Sequence, residues 1–231
     1  MPEINYSPPV GESAPAGESA PSGESASTRP TPARRESQPP LRPSLIVGLG
    51  NPGAEYAATR HNAGFQVIDA LATLWRVNYW KSASGALFAE SEFLERPILL
   101  AKPQQFMNLS GPPVRQLLKK YDLSSTDLLV IHDELDLPAG TLRLKWGGGD
   151  AGHKGVRSIS GAVGPDYARL RLGLGRPPGP MPADRFVLQP MSGTSWQDWQ
   201  VNVEQAAAIV QAVLQDGLEL AMNHFNSIDA G

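Results

Sequence analysis

The 231-residue sequence contains no cysteine. That absence excludes a disulfide scaffold, a thiolate nucleophile and every zinc-finger or zinc-ribbon site. Nowhere do 18 apolar residues run together, so the sequence offers no membrane-spanning helix. A basic excess is missing too. The chain has 20 Lys and Arg against 23 Asp and Glu, and residues 41–231 hold 17 of the first and 18 of the second. A global cationic field for nucleic acid is thereby excluded, and any such partner has to be held by a local patch. The histidines His61, His132, His153 and His224 lack H-x-x-x-H or similar ligand spacing, so neither a metal nor another cofactor is expected. There is also no G-x-S-x-G elbow for a serine nucleophile.

The first forty residues differ from the rest. Gly11-Glu12-Ser13-Ala14 recurs as Gly17–Ala20 and Gly23–Ala26, and large apolar residues are confined to Met1, Ile4, Tyr6 and Val10. Such a stretch buries too little surface to offset its chain entropy. Residues 1–40 are therefore expected to form a disordered low-complexity tail. The tail has no apolar h-region for a secretory signal, and its five Glu contradict the acid-poor pattern of a transit peptide. Residues 41–231 are the right length for one domain.

Within that domain, apolar runs alternate with helical periodicity. Leu45-Ile46-Val47 and Leu128–Ile131 read as buried strands, 86–101 as a hairpin, and Thr141–Trp146 and Arg169–Leu174 as alternating strands. Phe65, Ile68, Ala72 and Trp75 mark one helix, Met107–Tyr121 a second, Val156–Val163 a third and Trp196–Leu214 a fourth, with a short helical turn after it. The pattern predicts a single α/β domain with a mixed, largely parallel twisted sheet flanked by helices.

Gly48-Leu49-Gly50-Asn51-Pro52-Gly53 matches G-x-G-x-x-G after a strand. A dinucleotide site needs the helix to open at once, with an acidic residue at the end of the second strand. Here Pro52 and Ala54–Arg60 intervene, and Asp69 falls inside the helix. A nucleotide-binding oxidoreductase is thus disfavoured.

Polar residues gather instead where α/β sheets place their sites, beyond strand ends. Asn51 follows the first strand, His61-Asn62 opens the first helix, Asn108 follows the strand ending near Lys102, and Asp133 follows Leu129–His132. One His, one Asp and two Asn are the parts of a metal-free, water-activating hydrolase. Imidazole accepts a proton near neutrality, a carboxylate on its other nitrogen fixes the tautomer, and amides supply oriented donors and acceptors. Each residue also has a plainer role open to it: a cap or surface group for His61, loop closure for Asp133, a turn for Asn51, a helix cap for Asn108. A second cluster is basic. Arg143, Lys145, His153, Lys154, Arg157, Arg169, Arg171 and Arg176 share one stretch in which only Asp150 and Asp166 are acidic. Around the Gly147–Gly149 loop this composition suits either a phosphate-bearing partner or a solvated face.

At these residues the sequence resembles the bacterial-type peptidyl-tRNA hydrolases. The likeness runs from Leu45 to about Ile228 and rests on four ordered blocks: Ile46–Gly53 continuing through Tyr56 and Thr59–Gly64; Phe106–Gly111; His132–Pro138; and Gly147–Gly149 with Gly152-His153. The resemblance implies a monomeric, cytoplasmic α/β enzyme without metal or cofactor. Its reaction would be hydrolysis of the ester joining a peptide to the 3′ end of tRNA, which recycles tRNA from aborted translation. It implies that His61 is the catalytic base and Asp133 its orienting partner. By the same likeness Asn51, Tyr56, Met107 and Asn108 bind the substrate, and Lys145 and Arg171 hold the tRNA 5′ phosphate. After Gly152-His153 the family often has Asn, whose amide helps to hold substrate and attacking water. Here Lys154 takes that substrate-binding position, and because lysine has no acceptor the role is altered. A non-catalytic RNA-binding relative would keep the basic face but have no need of His61 and Asp133, both of which are present.

Overall fold

The computed structural model describes residues 40–227. Apart from Pro40, the tail expected over 1–40 lies outside the described residues, as do residues 228–231. The described chain forms seven strands and six α-helices. In order these are β1 (Leu45–Gly48), α1 (Ala63–Leu74), β2 (Lys81–Ala83), β3 (Ala86–Phe93), β4 (Arg96–Pro103), α2 (Gly111–Lys120), β5 (Leu128–Glu134), β6 (Leu142–Trp146), α3 (Lys154–Val163), β7 (Ala168–Gly173), α4 (Ala183–Val187), α5 (Gly193–Asp216) and α6 (Leu218–Phe225).

One sheet holds all seven strands in the order β2-β3-β4-β1-β5-β7-β6. β4, β1, β5 and β7 run parallel, while β2 and β3 at one end and β6 at the other pair antiparallel. The mixed, largely parallel sheet is the expected one. Every residue of β1 and β5 is buried, because helices cover both sides of a parallel sheet. On one face Ile46, Leu129, Ile131, Leu170 and Leu172 pack against α1, α5 and α6. On the other, Leu45, Val47, Leu128 and Val130 pack against Val114 and Leu117 of α2 and Val156 and Ile159 of α3. Ile131 is fully buried, and its truncation to Ala would cost about 2–5 kcal/mol.

Three local differences from the sequence reading bear on the site. The segment Met107–Tyr121 is not one helix: a 3-10 turn, Met107–Leu109, precedes α2. Gly111 sits so close to α3 that a Cβ there would lie 2.1 Å from the Ser158 carbonyl oxygen. β5 extends through Glu134, so Asp133 lies within the strand rather than beyond it. Short β2 and α4 were too brief to announce themselves by periodicity. Among the described residues no helix is long and apolar enough to cross a membrane.

Candidate active site

The glycine motif serves packing. A Cβ on Gly48 would lie 2.1 Å from the Gly64 carbonyl oxygen, and one on Gly64 would lie 2.1 Å from the Leu49 nitrogen. The start of α1 thus rests directly on the end of β1. A 3-10 turn, Arg60–Asn62, precedes the helix, so no α-helix opens at Gly50 to cradle a pyrophosphate. This close approach brings His61 and Asn62 beside Asn51.

Asn62 and Asn51 then lock each other. The Asn51 N–H donates to Asn62 Oδ1 and Asn62 Nδ2 donates to the Asn51 carbonyl, both at 3.0 Å. Asn51 Oδ1 accepts the Met107 N–H at 2.8 Å. With that oxygen engaged, the buried Asn51 side chain has its Nδ2 left as a donor. The same bond fixes the 3-10 turn that carries Asn108, which is exposed, whereas Met107 is buried. Tyr56, half-buried, ends the 3-10 turn Ala54–Tyr56 and contributes its carbonyl to the Thr59 hydroxyl.

Asp133 is 2 % exposed and receives two imidazoles. His61 Nδ1 lies 3.0 and 3.1 Å from its two oxygens, and His153 Nε2 lies 3.0 Å from Oδ1. Burial alone would raise the carboxyl pKa. The charges and N–H bonds of His61 and His153 outweigh it and hold Asp133 well below the usual carboxylate range. An ionised carboxylate only accepts, so both facing ring nitrogens donate. His61 therefore carries its proton on Nδ1 and a lone pair on Nε2. Burial pushes the His61 imidazole down, but the charge and hydrogen bond of Asp133, with Asp184 adding to them, raise its pKa overall; Lys154 opposes the rise.

The side chains of His61, Asp133, His153, Lys154, Asp184 and Val187 line a cavity of ≈ 190 Å³. His61, Asp133 and His153 also have the composition of a metal site, their ligand atoms lying within 4.8 Å of one another, which histidine spacing along the chain did not foretell. The tautomers argue against that use. His153 Nδ1 accepts the Gly155 and Val156 N–H groups at 3.2 and 3.3 Å, so Nε2 carries the proton and has no lone pair for a cation.

The basic stretch is largely occupied with the protein itself. Register places Arg143 opposite Arg171 and Lys145 opposite Arg169, so all four share one face. Arg169 is not available to a partner. It is 2 % exposed, donates at 2.7 Å to the carbonyls of Gly148 and Gly149, and stacks on Tyr167. Arg157 grips Asp150 with two bonds of 3.1 Å, Arg176 pairs with Asp136, and Lys154 Nζ lies 2.7 Å from Asp184 Oδ2 across the cavity. Arg171 is held loosely, with Nη1 3.9 Å from Glu134 Oε2, and Lys145 makes no ion pair among the described residues. His153 was read only as part of the basic stretch and a glycine block. Its partners, Asp133 twenty residues away and two backbone amides, are brought together by the fold.

Comparison with known proteins shows the family. The family model described as "Peptidyl-tRNA hydrolase" matches residues 45–230. The peptidyl-tRNA hydrolase of Nocardia farcinica is 47% identical over 190 residues, covering 81% of this chain and 98% of its own. That of Streptomyces coelicolor is 43% identical over 195 residues, covering 80% and 96%. The crystal structure of peptidyl-tRNA hydrolase from Acinetobacter baumannii is similar with a TM-score of 0.76 and 35% identity, covering 82% of this chain and 97% of that one. With the fold, the four sequence blocks and these relatives in agreement over the whole described domain, the chain belongs to the peptidyl-tRNA hydrolase family.

Proposed function

We propose that this enzyme hydrolyses the ester joining a peptide to the 3′ end of tRNA, with His61 as general base, and so returns tRNA from aborted translation. The observation that carries the reading is the buried Asp133 carboxylate bonded to His61 Nδ1, which leaves Nε2 with its lone pair on a residue that lines the same cavity.

An aminoacyl ester is already activated, so water suffices as nucleophile. Water gives a proton to His61 Nε2 as its oxygen adds to the ester carbonyl. Asp133 stabilises the imidazolium through the Nδ1–H bond. Amide donors from Asn51 and Asn108 steady the oxyanion. Collapse of the tetrahedral intermediate breaks the C–O bond to the ribose, and the imidazolium returns its proton to the departing oxygen. The products are a free peptide acid and a tRNA 3′ hydroxyl.

Selection against free aminoacyl-tRNA follows if Asn51 or Asn108 bonds the amide of the blocked amine. A free ammonium leaves that bond unmade, and an unpaired buried polar group costs about 1–3 kcal/mol. Lys145 and Arg171 bind the tRNA 5′ phosphate; what supports this is that Arg157, Arg169 and Arg176 are taken up within the protein. Met107 and Tyr56 shape the substrate platform, Lys154 occupies a substrate-binding position at the cavity mouth, and the enzyme acts as a monomer in the cytoplasm. Release of N-acetyl-aminoacyl groups from charged tRNA tests the reading. A folded enzyme that binds this substrate without turnover would show a non-catalytic relative.

A further inference from the structure

Asp133 accepts from two imidazoles, and the reaction just described uses one of them. His153, the other, is exposed by only 8% at its side chain and is spoken for at both nitrogens. Nδ1 accepts the first free amides of α3, from Gly155 and Val156, as the helix cap. Nε2 donates to Asp133 Oδ1 at 3.0 Å. Helix starts leave amides that need an acceptor, and a ring nitrogen that accepts them cannot carry a proton. The cap therefore forces the His153 proton onto Nε2, the nitrogen that faces the carboxylate. Most N-cap side chains are Ser, Thr, Asp or Asn, which end at the cap. A histidine cap has a second nitrogen beyond it, and here that nitrogen reaches the reaction centre.

We propose that His153 is a positioning residue, whose helix-capping tautomer fixes Asp133 in the orientation that serves His61; this rests on the function proposed above. Two consequences follow. The Asp133 carboxylate is clamped by N–H donors on two sides, so its oxygens stay aimed at His61 Nδ1 without any mobile water in the bond. His153 also takes a share of the carboxylate charge, which moderates how strongly Asp133 holds the imidazolium form of His61. On its other side His153 meets the edge of His132, ring centroids 4.9 Å apart. His132 is kept neutral by burial, which with His153 pushes its pKa down to about 3, and its Nδ1 donates to the Asp133 carbonyl at 2.7 Å. A neutral neighbour adds no competing charge. The charged groups facing His61 are then Asp133 from β5, Lys154 from α3 and Asp184 from α4, with the His153 ring 5.0 Å away, centroid to centroid.

Two variants separate the cap from the clamp. His153→Asn keeps a capping oxygen but cannot reach Asp133. His153→Gln can reach Asp133 but is a poor cap. For His153→Asn on peptidyl-tRNA, kcat should fall about tenfold, the loss of one charge-assisted hydrogen bond, with KM and Tm near wild type. Its acid limb should move to higher pH, because Asp133, relieved of one donor, holds protonated His61 more tightly. His153→Gln should lower Tm by about 2–4 °C while kcat stays within about twofold of wild type. Normal kcat with an unmoved acid limb in His153→Asn overturns the proposal. So does a kcat loss in both variants that merely tracks their fall in Tm. Imidazole ¹⁵N spectra of the wild type give a readout independent of turnover: His153 should carry its proton on Nε2 and leave Nδ1 unprotonated. An Nδ1-protonated or cationic ring overturns the assignment even if hydrolysis is confirmed, and an inactive wild type with the expected ring overturns only the function on which it rests.

Discussion

Asp133 with its two imidazoles, at the end of β5, and the cations on the β6–β7 face belong to neighbouring parts of one sheet, yet they are held in opposite ways. At the end of β5, Asp133 meets two N–H donors, and Asn51 is fixed through its backbone, its carbonyl and its side-chain oxygen. On β7, Arg171 touches Glu134 only at 3.9 Å, and Lys145 on β6 makes no ion pair among the described residues. The contrast follows from the two tasks. Lowering a chemical barrier needs donors and acceptors set before the substrate arrives, because reorganisation during the reaction costs the rate. Holding a polyanion needs charge that is still available, because a cation already neutralised by a carboxylate releases no counterions from the nucleic acid. Arg169 shows the boundary between the two: equally cationic in sequence, it is consumed by the Gly148 and Gly149 carbonyls and shapes the loop instead.

If the reaction centre is where chemistry is concentrated, damage there should be severe in kcat and slight in binding. His61→Ala should lower turnover on the order of 10²–10⁴-fold, the usual contribution of a general base, while the protein stays folded. His61 lies on the 3-10 turn ahead of α1 and not on its apolar face, so the core packing of the helix is kept. Near-normal kcat from a folded variant would mean that another group activates water. Asp133→Asn should come next. An amide offers one acceptor oxygen where two N–H donors now converge, so one of the imidazoles must turn or change tautomer. Turnover should drop on the order of 10²-fold or more with tRNA affinity nearly unchanged. The sign of its pH effect is fixed by charge. Asp133 raises the His61 pKa, so its loss should move the acid limb of kcat to lower pH, opposite to the shift expected for His153→Asn. A collapse of tRNA binding in Asp133→Asn would make Asp133 a structural residue.

The basic face should respond in the converse way. Replacing Lys145 and Arg171 together by Gln should raise KM on the order of tenfold and flatten the salt dependence of log K by roughly 0.7–0.9 per lost phosphate contact. The value of kcat should barely change, because binding energy realised equally in ground and transition states leaves the chemical step alone. Cleavage of a short ester substrate lacking the tRNA body should be unaffected. Equal impairment on the short substrate would place both residues with the reaction centre and erase the division between the two regions.

The sequence disclosed one of these regions better than the other. The strands are legible because β1 and β5 are continuous apolar runs, and Asn51, His61, Asn108 and Asp133 stand out as candidates because long blocks carry them near strand ends and, for His61, at the start of the first helix. What periodicity could not show is partnership. Alternation put Arg169 and Arg171 on one face, but only the register with β6 and the path of the glycine loop reveal that the first is buried and the second half-open. His153 escaped for the same reason, since its tautomer depends on amides of a helix and a carboxylate on a different strand. Gly48 and Gly64 pointed to close approach of chain segments, yet what approaches is a helix start and not a phosphate.

The smallest expected effect lies between the two regions, at Lys154. Lysine at the first residue of α3 faces the positive end of the helix dipole, which disfavours it by about 0.3–1 kcal/mol. Asp184, 2.7 Å away, offsets this, but both side chains are more than half exposed, and pairs of that kind contribute about 0–1 kcal/mol. Lys154→Asn should therefore leave Tm almost unchanged. An amide brings both a donor and an acceptor to the cavity that His61 and Asp133 line, whereas the ammonium brings donors only. Activity should thus be preserved or raised. The charge balance adds a finer signature. Lys154 lowers the His61 pKa while Asp184 raises it, so removing Lys154 alone should move the acid limb of kcat slightly upward in pH. Removing Asp184 as Asn should move it slightly downward, and the double variant should return it close to wild type. A severe loss of kcat in Lys154→Asn would place Lys154 inside the reaction centre, and a severe rise in KM with a flatter salt slope would add it to the phosphate-binding face.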